Sequence, residues 1–128
     1  MDKAVWVGLG GFLGAWLRYA VGGALARWKA GWTFPIETLI VNVVGCLAIG
    51  FLAEVAETRG LFSPTTRLFV FIGLLGGFTT FSTYGYETFQ LMREGQVQAA
   101  VLSTLLQVGL GLGGVWAGHI AARMVWGT

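Results

Sequence analysis

The charges in this chain of 128 residues are few, and their placement constrains the fold more than their number. No Asp, Glu, Lys or Arg occurs from Gly95 to Ala122, a run of 28 residues. None occurs over the 19 residues from Leu68 to Tyr86, or the 16 from Thr38 to Ala53. Ala4 to Leu25 is interrupted only by Arg18. A helix crossing the hydrocarbon core of a bilayer needs about 20 mostly apolar residues. The runs therefore predict four spans, at 4–25, 37–56, 68–92 and 97–122, in a single domain over 1–128. Composition agrees: 11% of residues are charged, against about 25% in an ordinary soluble domain. The fold class expected is an all-α membrane protein of four transmembrane helices, with the lipid bilayer as its solvent.

Several classes are excluded. Cys46 is the single cysteine and lies inside a span, so no internal disulfide can form. Eight basic residues scattered between four spans make no nucleic-acid patch. A secretory leader would need an uninterrupted, shorter apolar stretch than 4–25, which Arg18 breaks. No His-Glu-x-x-His pair, Gly-x-Ser-x-Gly elbow or two-acid pair at membrane depth argues for an enzyme. His119 has no acid near it in sequence and receives no role.

Basic residues flanking spans normally fix orientation. One side carries Lys3, Arg59, Arg67 and Arg123; the other carries Arg27, Lys29 and Arg93, with Arg18 just inside the membrane. The balance favours neither side. Either a weak bias decides, or the chain inserts both ways and pairs head to tail.

The 21 glycines are roughly double the usual share. Small residues four apart let helices approach closely in lipid. Gly10 and Gly14 have that spacing, as do Gly114 and Gly118, and helix packing is their expected role. The third span differs. At its centre stands Gly76-Gly77-Phe78-Thr79-Thr80-Phe81-Ser82-Thr83-Tyr84. Glycine and β-branched threonine weaken a helix, and a helix broken at the midplane offers backbone groups to ions. A broken third helix is expected, with the paired glycines at the break. Beyond it, helical spacing aligns Thr80, Thr83 and Glu87 on one stripe, and Phe81 and Tyr84 on the next. Aromatic edges are positive and suit an anion. Asn42 in the second span could donate to an anion or join helices. Arg18 should face a cavity or partner, or reach back to the interface. Glu87 is a vestibule candidate, and Ser103 and Gln107 are candidates on the fourth span. Trp6, Trp28, Trp32 and Trp126 lie near span ends, as an aromatic belt would.

The central stretch closely resembles the GGxTTFST(F) signature of Fluc-type fluoride channels, the CrcB-like family. Gly14-Ala15-Trp16-Leu17-Arg18 resembles its first-span motif, and Thr38-Leu39-Ile40-Val41-Asn42 its second-span motif. The resemblance covers the whole chain. It implies an antiparallel, dual-topology homodimer of the plasma (inner) membrane that exports fluoride passively. It implies a structural, untransported sodium ion (Na+) held by the carbonyls of Gly76 and Thr79. It places Phe81, Tyr84, Asn42, Thr80, Ser82 and Thr83 along the fluoride path. Two positions depart from the family pattern: Tyr84 stands for phenylalanine, and Glu37 for glycine at a span mouth, where a carboxylate would repel anions or simply face water. The alternative is a small dual-topology proton-coupled multidrug exporter, which relies on a first-span glutamate; here that span carries Arg18 and no acid.

Overall fold

The structure, a computed structural model, describes residues 2–127. Four of its helices are long and apolar enough to cross a membrane: Lys3–Trp28, Ile36–Arg59, Pro64–Arg93 and Val97–Trp126. No strand occurs among the described residues. The first two are α1 and α2. The third span divides into α3 (Pro64–Arg67), a π-helical segment (Leu68–Leu75), α4 (Gly76–Phe78) and α5 (Phe81–Arg93); the fourth is α6 (Val97–Trp126).

The helices extend past the charge-free runs at most of their ends, and several of those ends are capped. Asp2 accepts from the Ala4 N–H at the start of α1. Ser63 caps the third span through the Thr66 N–H at 3.1 Å, with Pro64 as its first residue. Gly60 closes α2 at φ 59°, a left-handed turn that glycine adopts without a Cβ clash.

Two helix pairs build the molecule. α1 packs along the first half of the third span, and α2 along α6. In both, glycine lets backbone meet backbone. A Cβ on Gly14 would strike the Leu74 carbonyl, and one on Gly118 the Leu47 carbonyl. The packing role expected of these stripes is what the fold uses. Large apolar side chains such as Phe12, Trp16, Leu112 and Trp116 face outward, as lipid-exposed positions do. Trp28 stacks edgewise on Trp32 at 5.6 Å, and Trp126 on Phe51 at 5.4 Å, both near span ends.

The third helix is broken, but not where its glycines are. Gly76 is helical, with φ −63° and ψ −38°. Thr79 and Thr80 are extended, at φ −82°, ψ 158° and φ −152°, ψ 117°. The break thus falls at the Thr79–Thr80 end of the expected Gly76–Thr80 stretch, and the glycine pair itself stays helical. Gly77 instead lies against the Gly11 backbone of α1, where a Cβ would stand 2.6 Å from the Gly11 oxygen. β-branched threonine is at ease in extended backbone, and its hydroxyl ends or starts a helix. The Thr79 Oγ1 donates to the Leu75 carbonyl at 2.9 Å, and the Thr80 Oγ1 accepts from the Thr83 N–H at 3.2 Å.

Candidate functional site

A two-residue break leaves backbone groups without helical partners. Asn42, from the middle of α2, supplies both partners for Thr80. Its Oδ1 accepts from the Thr80 N–H at 2.8 Å, and its Nδ2 donates to the Thr80 carbonyl at 2.9 Å. The same Nδ2 donates to Gln107 Oε1 on α6 at 3.0 Å. Gly45, one turn along α2, leaves room for the Thr79 methyl. The polar face of the second span thus holds the break in place and ties it to the fourth.

Arg18 turns inward rather than back to the interface. Its Nη1 approaches the Thr79 carbonyl at 3.5 Å, a long contact. The first half-helix therefore presents its carbonyl end to a cation from α1. The Gly76 side of that end is open: a Cβ there would meet only the Phe71 oxygen, at 3.7 Å.

Beside the break lies a cleft of about 400 Å³. Gly76, Thr79 and Thr80 form one wall, Phe81 and Tyr84 another, and Asn42 and Gln107 its polar back. The rings of Phe81 and Tyr84 sit 5.4 Å apart at 63°, edge toward face. Phe81 is 81% exposed, so its ring is free to border a path or a neighbour. Tyr84 is anchored: its hydroxyl donates to Thr104 Oγ1 at 2.8 Å, which in turn donates to the Ala100 carbonyl at 3.1 Å. The extra hydroxyl of this position is thus spent on α6, and the ring edge stays at the cleft. Gln107 keeps an unpartnered, buried Nε2. A buried donor of this kind seeks an acceptor.

The polar stripe is continuous. The Thr80 hydroxyl donates to Thr83 Oγ1 at 2.9 Å and lies 3.4 Å from Ser82 Oγ. One turn on, Glu87 Oε1 accepts from the Thr38 hydroxyl at 2.8 Å, while Oε2 is buried without a partner. Glu87 opens into a second cavity of about 410 Å³, near the span ends. Glu37 lines it too, but neither repels freely nor simply faces water: Lys29 Nζ sits 2.8 Å from its Oε2.

The structure thus gathers Gly76, Thr79, Thr80, Phe81, Tyr84, Asn42 and Gln107 at the cleft, and reaches Arg18 to its carbonyl end. Ser82 and Thr83 are exposed outside it, and Ser103 is buried in the helix packing, 1% exposed, away from the cleft. Sequence reasoning missed partners that only tertiary structure supplies. The acid absent from the sequence around His119 is Glu54, whose Oε2 stands 3.0 Å from Nδ1. The Tyr84–Thr104 and Lys29–Glu37 pairs carry no local signal.

The chain is similar to known proteins over most of its length. The family model described as CrcB-like protein, Camphor Resistance (CrcB), matches residues 5–119. A protein of Methylobacillus flagellatus named fluoride-specific ion channel FluC is 41% identical over 124 residues, 97% of each chain. Proteins of the same name from a Roseiflexus species and from Geobacter sulfurreducens are 47% and 46% identical; the matches cover 93% and 90% of this chain and 95% and 92% of theirs. With four helices fit to cross a bilayer and relatives of this kind, the protein is a multi-pass membrane protein. The chain belongs to the CrcB-like family.

Proposed function

We propose that the protein is a fluoride-selective channel of the plasma membrane that lets the anion leave passively down its electrochemical gradient. The observation that carries the reading is the Thr79–Thr80 break beside the Phe81–Tyr84 cleft. Moving a bare anion into an apolar interior costs tens of kcal/mol by Born estimates, so fixed groups must replace its water. The break offers the start of α5, where Thr80 caps the Thr83 N–H but the Phe81 and Ser82 N–H groups precede the first helical bond, and the dipole favours an anion. Gln107 Nε2 adds a donor, and the two ring edges add positive potential. Several weak sites in series let the ion move on. The relatives' printed name supports the choice of fluoride.

The same break supports the finer reading taken from the resemblance. The chain acts as an antiparallel, dual-topology homodimer, with a structural sodium ion at the Gly76 and Thr79 carbonyls. Carbonyl oxygens are hard donors suited to such a cation, and Gly76 is exposed and borders the cleft. Thr79 O retains a second lone pair beside the long Arg18 contact. Held by the Gly76 and Thr79 carbonyls, a sodium ion would supply a fixed positive charge at the carbonyl end of the first half-helix. The balanced basic residues on the two sides fit insertion in both orientations. A proton-coupled exporter finds no acid on α1 to work with; its single charged residue at depth is Arg18.

The test is efflux from liposomes carrying the purified chain and a potassium shunt. Fluoride should leave rapidly while chloride stays. Equal chloride efflux would sink the selectivity, and accessible termini on one membrane face only would sink the dual topology.

A further inference from the structure

The cavity beyond Glu87 holds an ion pair that permeation through the cleft does not require. Lys29 is the C-cap of α1, and Glu37 lies in the first turn of α2. The intervening loop folds them together, and Lys29 Nζ also donates to the Phe34 carbonyl at 3.2 Å. Each charge suits its helix end, the ammonium at the negative C-terminus and the carboxylate at the positive N-terminus. The pair is partly shielded, with side chains 16% and 22% exposed. Its field is therefore screened less than that of a pair standing free in water.

The other charged groups facing this mouth are Glu87 from α5 and Glu94 from its C-cap. Among the described residues, the lining is thus one ammonium against three carboxylates. Glu87 stands one helical turn beyond Thr83, so the mouth continues the polar stripe that leaves the break.

We infer that the Lys29–Glu37 pair sets the local anion concentration at this mouth and so tunes the rate of fluoride entry. The inference rests on the fluoride-channel reading. Lys29 cancels Glu37 and keeps it from adding to the field of Glu87 and Glu94. Glu37, in turn, withholds the one ammonium that would draw anions in. Removing either partner unmasks the other, so the two single substitutions act in opposite directions. A strut that merely ties the α1–α2 loop would lose function the same way whichever partner went.

The experiment measures fluoride current through the full chain in planar bilayers, at low and at high ionic strength set by an impermeant salt. At low ionic strength, Lys29→Met should lower the current and Glu37→Gln should raise it, each about threefold, the effect of one unit charge near the path. Both effects should shrink at high salt, where the screening length falls to a few ångströms, without vanishing, because the pair is partly shielded. The double variant Lys29→Met/Glu37→Gln should return close to the parent. Lys29→Arg, which keeps the charge, should behave like the parent and separates charge loss from misfolding. Losses in the same direction for both single variants, indifferent to salt, would overturn the inference in favour of a strut. Parent-like currents in both would overturn it as well. A parent chain that passes no fluoride would instead refute the channel reading on which it rests.

Discussion

Replacing Asn42 by alanine removes three hydrogen bonds at once, and two of them serve the backbone of a single residue. Thr80 is 9% exposed, so its N–H and carbonyl lose the Asn42 amide with little water to replace it. A buried polar group left unpaired costs about 1–3 kcal/mol, which puts the pair at roughly 2–6 kcal/mol. Ordinary interhelical side-chain bonds in membranes average about 0.6 kcal/mol, so three of that kind would total about 2 kcal/mol. Thr80 borders the cleft, and water entering there moves the expected value to the lower part of the range, about 2–3 kcal/mol. That is a loss of about thirtyfold or more in the folded-to-unfolded ratio. The assay is reversible unfolding in mixed micelles, paired with fluoride efflux after reconstitution. Efflux should fall further than stability alone explains, because the start of α5 loses its fixed orientation. Asn42→Asp keeps the acceptor for the Thr80 N–H but sets a carboxylate against the Thr80 carbonyl and Gln107 Oε1, so it should do no better. Alanine at position 42 with stability within about 0.5 kcal/mol of the parent and unchanged efflux would refute the idea that Asn42 holds the break.

Phe81→Ile removes a ring that is 81% exposed, so the protein should fold while fluoride efflux drops at least about tenfold; parent-like efflux would show that the ring edge is not on the path. Tyr84→Phe keeps the ring and deletes the bond to Thr104, so melting should show a loss of about 1 kcal/mol with transport retained. Gly118→Ala drives a methyl into the Leu47 carbonyl and should destabilise the α2–α6 contact by about 1–3 kcal/mol. Gly109→Ala, with nothing within 4 Å of the new methyl, should be nearly neutral in the same unfolding assay.

The spans were legible because the bilayer reads one property, unbroken apolar length, and the charge-free runs display it directly. The cleft was legible in part because its wall is a contiguous stretch, Gly76 to Tyr84, whose glycines, hydroxyls and rings have no reason to sit at mid-span in an ordinary helix. The position of the break was not. Local propensity points to Gly76 and Gly77, but helix breaking depends on what replaces the lost bonds, and the replacement comes from Asn42, 38 residues away. Gly77 is held helical by the close approach of α1, a contact no local pattern displays. The π-helical segment Leu68–Leu75 is equally silent, since its sequence is uniformly apolar. Arg18, Glu37 and His119 show the same limit: each was visible as a charge or a titratable ring, while its partner (Thr79, Lys29 or Glu54) is fixed by packing between elements.

The most direct test is the reversal potential of single-channel currents in a planar bilayer, with a tenfold fluoride gradient and chloride equal on both sides. A fluoride-selective channel should reverse near the fluoride equilibrium potential, about 59 mV from zero. Reversal at zero, where chloride balances, or no current from a folded and reconstituted chain, would contradict the assignment.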